Sequence, residues 1–151
     1  PSGGDTLPYF GGLCDIYSHR IQIAGRVMLP IFFENSRIPK ILSKIAPFEV
    51  GGFAFFIFVW TRGVATPRLR NHETTHWKQQ LECLFLPQWI LYGLWWLLLL
   101  AYHRNTYLAY RMSPYEIEAY DNQDDPTYND QVRKPFAWVK YIPRSFERVK
   151  K

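Results

Sequence analysis

Apolar residues change their rhythm several times along this chain, and each change marks an element. Across residues 20–33 the β-branched and aromatic side chains Ile21, Ile23, Val27, Ile31, Phe32 and Phe33 predict one or two strands, broken near Pro30. Residues 38–47, bounded by prolines, predict a short connecting helix. Gly51 and Gly52 then lead into residues 53–60, an uncharged run whose length and glycine boundary favour one buried strand over a helix. Thr66-Pro67 supplies an N-cap and a proline at the first helical position, and residues 68–86 contain no glycine or proline. A helix therefore opens at Pro67. Residues 83–102 carry no charge over twenty positions and include Trp89, Trp95, Trp96 and four consecutive leucines from Leu97. Their length suits a transmembrane segment, a reading that Pro87, Gln88 and Gly93 weaken. A third helix opens at Ser113-Pro114-Tyr115-Glu116, where Ser is followed three residues later by Glu in capping-box spacing.

At 151 residues the chain is long enough for one domain with a substantial core and short for two. The expected organisation is a Gly- and Pro-rich N-terminal arm over residues 1–18, one domain over 19–142 and a basic tail over 143–151. A hydrophobic content of 48%, with 18% aromatic, excludes disorder, coiled coil and collagen-like repeats. The mean hydropathy of -0.22 argues against a polytopic membrane protein and leaves room for one membrane-contacting segment. The net charge of +5 is unevenly placed. Residues 116–130 hold six acids and no Lys or Arg, whereas residues 131–151 hold seven bases against the single acid Glu147. Interleaved with Phe136, Trp138, Tyr141 and Phe146, those bases suit an anionic surface or a solvated end docked by its aromatics. No RNA-binding signature, zinc-finger spacing or heptad-supported basic region accompanies them, which argues against nucleic acid. Cys14 and Cys83 are too few for a disulfide scaffold.

The chemistry is concentrated in His72-Glu73-Thr74-Thr75-His76, inside the helix that opens at Pro67. At 3.6 residues per turn the two histidines stand one above the other, so both imidazoles reach one tetrahedral zinc while Glu73 sits beside them as a base. A catalytic zinc needs a third protein ligand and an open position for water, and Glu116 and Glu118 are the downstream candidates. The same residues also have uses without a metal. Glu116 then closes a capping box, Glu118 faces solvent, and His72 and His76 lie on an amphipathic surface with Glu73 as a solvated acid. Gln79 and Gln80 read as polar helix-face residues, and His103 and Arg111 as helix-end caps or interfacial anchors.

The arrangement resembles the zincin metallopeptidases of the glutamate-ligand type, in which a helix bearing HExxH is followed by a second helix supplying a Glu. Residues 113–120 look like the short ExEA helix of small zincin-like proteins, and His76-Trp77-Lys78-Gln79-Gln80 resembles the HxxQQ continuation of small, mostly uncharacterised bacterial and phage members. The resemblance spans residues 67–141 and implies a small zincin-like α+β domain, with a small sheet in the N-terminal half and a helical C-terminal half. It implies zinc held by His72, His76 and Glu116, with Glu73 as general base toward a water activated there, and Glu118 as the alternative ligand. Where many relatives have an Asp that holds a ligand histidine from behind, this chain has Tyr120, whose hydroxyl accepts an imidazole N–H without a carboxylate's charge.

A zinc site constrains the apolar segment. A straight helix over residues 83–102 has ends about 30 Å apart, and residues 103–114, with His103, Arg104 and Arg111, cannot return Glu116 through lipid. The segment is therefore expected to fold back or lie flat at an interface, with residues 89–102 mostly buried against the HExxH helix or a partner. The expected function is a zinc-dependent, peptidase-like hydrolase acting on a peptide or protein substrate. The alternative is a non-catalytic structural subunit of a virion or membrane assembly, docked on a membrane surface or on protein through residues 89–102 and the basic tail.

Overall fold

The computed structural model describes residues 21–23, 26–28, 30–46 and 48–148. The expected N-terminal arm with Cys14, the helix boundary at Pro47 and the last bases of the tail, Lys150 and Lys151, lie outside the described residues. The fold is α+β, with strands in the first half and helices in the second. β1 (Ile21–Ile23) and β2 (Arg26–Met28) pair as an antiparallel ribbon. β3 (Ile31–Phe33) begins just after Pro30, so the one or two strands expected here are three. A separate three-stranded sheet has the order β3-β5-β4: β5 (Phe58–Thr61) runs parallel to β3 and antiparallel to β4 (Gly52–Phe55).

Residues 53–60 are thus a hairpin rather than one buried strand. The chain reverses at Phe56 and Ile57, with Phe56 at φ 57°, a left-handed conformation that a bulky residue adopts only under constraint. The constraint comes from the helices. The Phe56 N–H donates to Gln80 Oε1 (3.2 Å), and the Phe56 ring stacks on Phe85 with centroids 4.4 Å apart. No Gly, Asn or Asp marks this turn, which is why the uncharged run carries no visible break.

α1 (Ile38–Ile45), with Pro39 in its first turn, packs on β4 and β5. α2 (Pro67–Glu82) opens where expected, the Thr66 side chain accepting the Leu69 N–H. Leu84 and Phe85, both at positive φ, then turn the chain through 110° into α3 (Leu86–His103). No single described helix is long and apolar enough to cross a membrane. α3 packs mainly against α4 (Thr106–Arg111), whose start is capped by Asn105. α5 (Pro114–Asn122) is the central helix, buried along residues 114–119 between α2 on one side and the 3-10 turn Ala137–Tyr141 and α6 (Ile142–Ser145) on the other.

The expected burial of residues 89–102 is not met within this chain. Only Gln88 and Leu99 of α3 are buried, because the helix packs on one side and leaves its other side open. Packing also continues past the expected domain boundary at residue 142. Ser145 is fully buried, and the backbone carbonyls of Ser145 and Phe146 accept from His103 Nε2 and the Tyr102 hydroxyl, each at 2.8 Å.

Candidate metal centre

His72 and His76 lie one turn apart on the inner face of α2, with Nε2 atoms 3.1 Å apart. α5 crosses α2 and delivers Glu116 between them. Its Oε1 lies 3.3 Å from His76 Nε2 and its Oε2 lies 3.6 Å from His72 Nε2. All three ligand atoms fall within 4.8 Å of one another. Ligands about 2.0 to 2.1 Å from a tetrahedral cation stand about 3.4 Å apart, so the observed spacings suit one. Glu116 Oε2 is also buried without a hydrogen-bond partner, a cost that a cation would remove. The three residues therefore form a buried group able to hold a metal ion.

The other candidates separate cleanly. Glu118, two residues along α5, points away from the histidines. It accepts from Arg133 Nε at 2.7 Å, the Tyr128 hydroxyl at 2.9 Å and Gln79 Nε2 at 2.9 Å, so it is an anchor of the core and not an alternative ligand. Tyr120 meets His72 through its ring edge, centroids 4.6 Å apart, while its hydroxyl lies 3.4 Å from that of Tyr110. His72 Nδ1 has no hydrogen-bond partner. The expected hydroxyl acceptor role is thus corrected: Tyr120 packs against His72, pinned from behind by the Arg111 guanidinium 3.7 Å from its ring centroid. Nor does a capping box form. Ser113 makes no side-chain cap and its hydroxyl is unpartnered, while the Glu116 carboxylate turns toward the imidazoles rather than back to the Ser113 N–H.

Four contributors escaped the sequence reading. Gln79, fully buried, accepts from His76 Nδ1–H at 2.9 Å, which turns Nε2 toward Glu116, where it holds a proton or, once that proton is displaced, a cation. Its amide nitrogen donates to Glu118 and to the Tyr115 carbonyl (3.1 Å), so its own orientation is fixed. The Tyr92 hydroxyl donates to Glu116 Oε1 at 2.9 Å, and nothing in an apolar run singles it out in advance. Arg133 bridges Glu118 and Glu82. For Gln79 a signal exists in the HxxQQ continuation, which puts a glutamine three residues after His76 and so on the same helix face.

The fourth is Gly52. A Cβ there would lie 2.2 Å from Glu73 Oε1 and 2.6 Å from Glu73 Cδ, so β4 reaches the carboxylate only because this residue has no side chain. Glu73 itself is 4% exposed and opens onto a cavity of about 430 Å³, with the two histidines and Glu116 also in its lining. The remaining walls are largely apolar, from Leu42 and Ile45 of α1, Phe53 of β4, and Trp89 and Tyr92 of α3. Gly52→Ala is expected to push the Glu73 carboxylate aside into the cavity at a cost of under about 1.5 kcal/mol, since the atoms in the way are the end of a flexible side chain. Urea titration of both chains measures it, and a loss of several kcal/mol would show that the Glu73 side chain has no room to swing away from Gly52.

Burial and charge set opposed protonation tendencies in this cluster. Desolvation raises the Glu73 carboxyl above its ordinary value, and the two imidazoles only partly offset it. For His76 burial pulls downward, but the charge and hydrogen bond of Glu116 prevail and raise it from 6.5 to about 9. Glu116 is pushed upward by burial and, more strongly in sum, downward by the histidines, ending well below the carboxylate range. In the metal-free protein the raised His76 contributes stability below pH 6.5 that is lost as the pH rises through about 9. A cation must displace that proton. Apparent metal affinity is therefore expected to rise roughly tenfold per pH unit between about pH 6 and 8; calorimetric titration with a divalent cation checks it, and a flat profile would contradict the protonated state.

No protein-family profile, curated protein or solved structure matches this chain.

Proposed function

We propose that this chain is a zinc-dependent, peptidase-like hydrolase of the zincin type that its motif resembles, with His72, His76 and Glu116 holding the metal and Glu73 serving as general base. The observation that carries the reading is the convergence of three ligand atoms beside a desolvated carboxylate in a single cavity. Zinc, when bound, supplies a Lewis acid that polarises a carbonyl and acidifies water. The chain's own residues supply the rest. Glu73, its carboxyl raised by burial, is suited to take a proton from the attacking water and return it to the leaving amine. Tyr92 and Gln79 hold Glu116 and His76 in register. The apolar walls exclude bulk water and favour an apolar side chain next to the scissile bond.

A second reading, a non-catalytic subunit of a virion or membrane assembly, is favoured by the open side of α3. It leaves the burial of Glu73 beside three ligand atoms without a use. Metal analysis of the purified chain, paired with a peptide-hydrolysis assay, tests both. One zinc per chain, lost in His72→Ala, together with hydrolysis, is the expected result. Absence of zinc after reconstitution would overturn the first reading, and zinc without hydrolysis across a broad peptide library would favour the second.

A further inference from the structure

The outer side of α3 is a continuous apolar stripe. Leu86, Ile90, Leu94, Leu97, Leu98 and Tyr102 recur at helical spacing, each between 46% and 64% exposed. No charged residue interrupts it, since residues 83–102 contain none. A shallow apolar groove of about 120 Å³ between Leu91, Leu94, Trp95 and Leu98 lies along it. So large an open stripe marks an interaction surface.

Charge and size together indicate what covers it. At its C-terminal end the stripe meets exposed Arg104. The tail is fastened at the same end: Tyr102 and His103 donate to the carbonyls of Phe146 and Ser145, and the Phe146 ring sits against Tyr102 and Trp95. Exposed Arg148 follows two residues after the attached Phe146, with Glu147 as the neighbouring acid. α3 has no polar face of its own, but an apolar stripe bordered by aromatics and cations, with the rest of the domain behind it as the polar side, suits a surface resting on lipid headgroups. A second copy is a poorer fit. Eighteen helical residues are about 27 Å long and about 10 to 12 Å wide, a footprint of about 300 Å². Even doubled for side-chain relief, that only reaches the lower bound, about 600 Å² per partner, of a specific interface.

We infer that α3 is a surface-docking helix for an anionic lipid bilayer: its stripe enters the interfacial region in the membrane plane while Arg104 and Arg148 meet headgroup phosphates. The inference uses none of the metal residues, so it stands or falls apart from the hydrolase reading.

Flotation of the full chain with phosphatidylcholine vesicles, with and without phosphatidylglycerol, tests it. Binding is expected to be about tenfold stronger to the anionic vesicles and to weaken with salt. Brominated lipid should quench tryptophan fluorescence in the unmodified chain, a readout that needs no variant. Leu94→Glu and Leu98→Glu, at exposed positions, should each reduce binding about tenfold while leaving metal content and helical circular dichroism unchanged. The double change Arg104→Glu, Arg148→Glu should remove the preference for anionic vesicles. Failure to float, equal binding by the Leu94 and Leu98 variants, or no difference between vesicle types would overturn the inference. So would a stable dimer in the absence of lipid, captured by a disulfide between Leu94→Cys chains, or a purified protein partner that covers the stripe while vesicles do not.

Discussion

Glu73→Gln is expected to retain bound zinc while losing peptide hydrolysis by about 10² to 10⁴-fold. The amide keeps the size of the carboxylate and its place over Gly52, but it cannot accept the proton of an attacking water. The ligands His72, His76 and Glu116 are untouched, so metal content measured beside the rate separates loss of the base from loss of the site. Stability should move the other way. The folded-state pKa of Glu73 is raised, mainly by desolvation, so its ionised form disfavours the folded state above that pKa. A neutral Gln removes this penalty, and in the metal-free protein at neutral pH the melting temperature of Glu73→Gln should exceed that of the parent. A buried group whose removal stabilises the fold is maintained for something other than the fold. Hydrolysis at the parental rate in Glu73→Gln, with zinc retained, would assign the base elsewhere.

The two halves of the candidate site differed in how legible they were. The start of α2 and the pairing of His72 with His76 are local matters: Thr66 and Pro67 set the first turn, and the helical repeat alone puts the imidazoles together. The choice between Glu116 and Glu118 is not local. Two residues apart on a helix, they point about 200° apart, and which one faces α2 depends on how α5 is clasped among α2, α6 and the 3-10 turn. The residues left both open, and the resemblance to glutamate-ligand zincins pointed to Glu116. The β-hairpin was hidden for a related reason. Its turn at Phe56 is imposed by Gln80 and Phe85, which are distant in sequence, rather than by turn-forming residues of its own. In α3, composition announced burial, but a helix packed on one side in a small domain has too little protein around it to cover both faces.

Arg133→Met is expected to destabilise the domain by about 3 to 5 kcal/mol. The Arg133 side chain is 3% exposed and lies between two carboxylates, Glu118, which is fully buried, and Glu82, which is 12% exposed. Arg133 Nε and Nη2 both donate to Glu118, and its guanidinium also forks onto Glu82. Removing the cation leaves two negative charges inside the protein with only the Lys78 ammonium, which also feels Glu82, to offset them, and this costs far more than breaking an exposed ion pair would. Replacing Arg133 together with both acids by apolar residues of similar volume should cost much less, since no uncompensated charge then remains. The same substitution reaches the metal group through one chain of contacts: Arg133 fixes Glu118, Glu118 fixes the amide of Gln79, and Gln79 orients His76. Zinc affinity in Arg133→Met should accordingly fall by about 10- to 100-fold under conditions where the variant remains folded. Urea denaturation gives the first quantity and competition with a chelator the second. A variant that loses stability but binds zinc at full strength would mean that Gln79 holds His76 without help from Glu118. A change of less than about 1 kcal/mol would mean that water reaches Glu118 and Glu82 and screens them as it screens a surface pair.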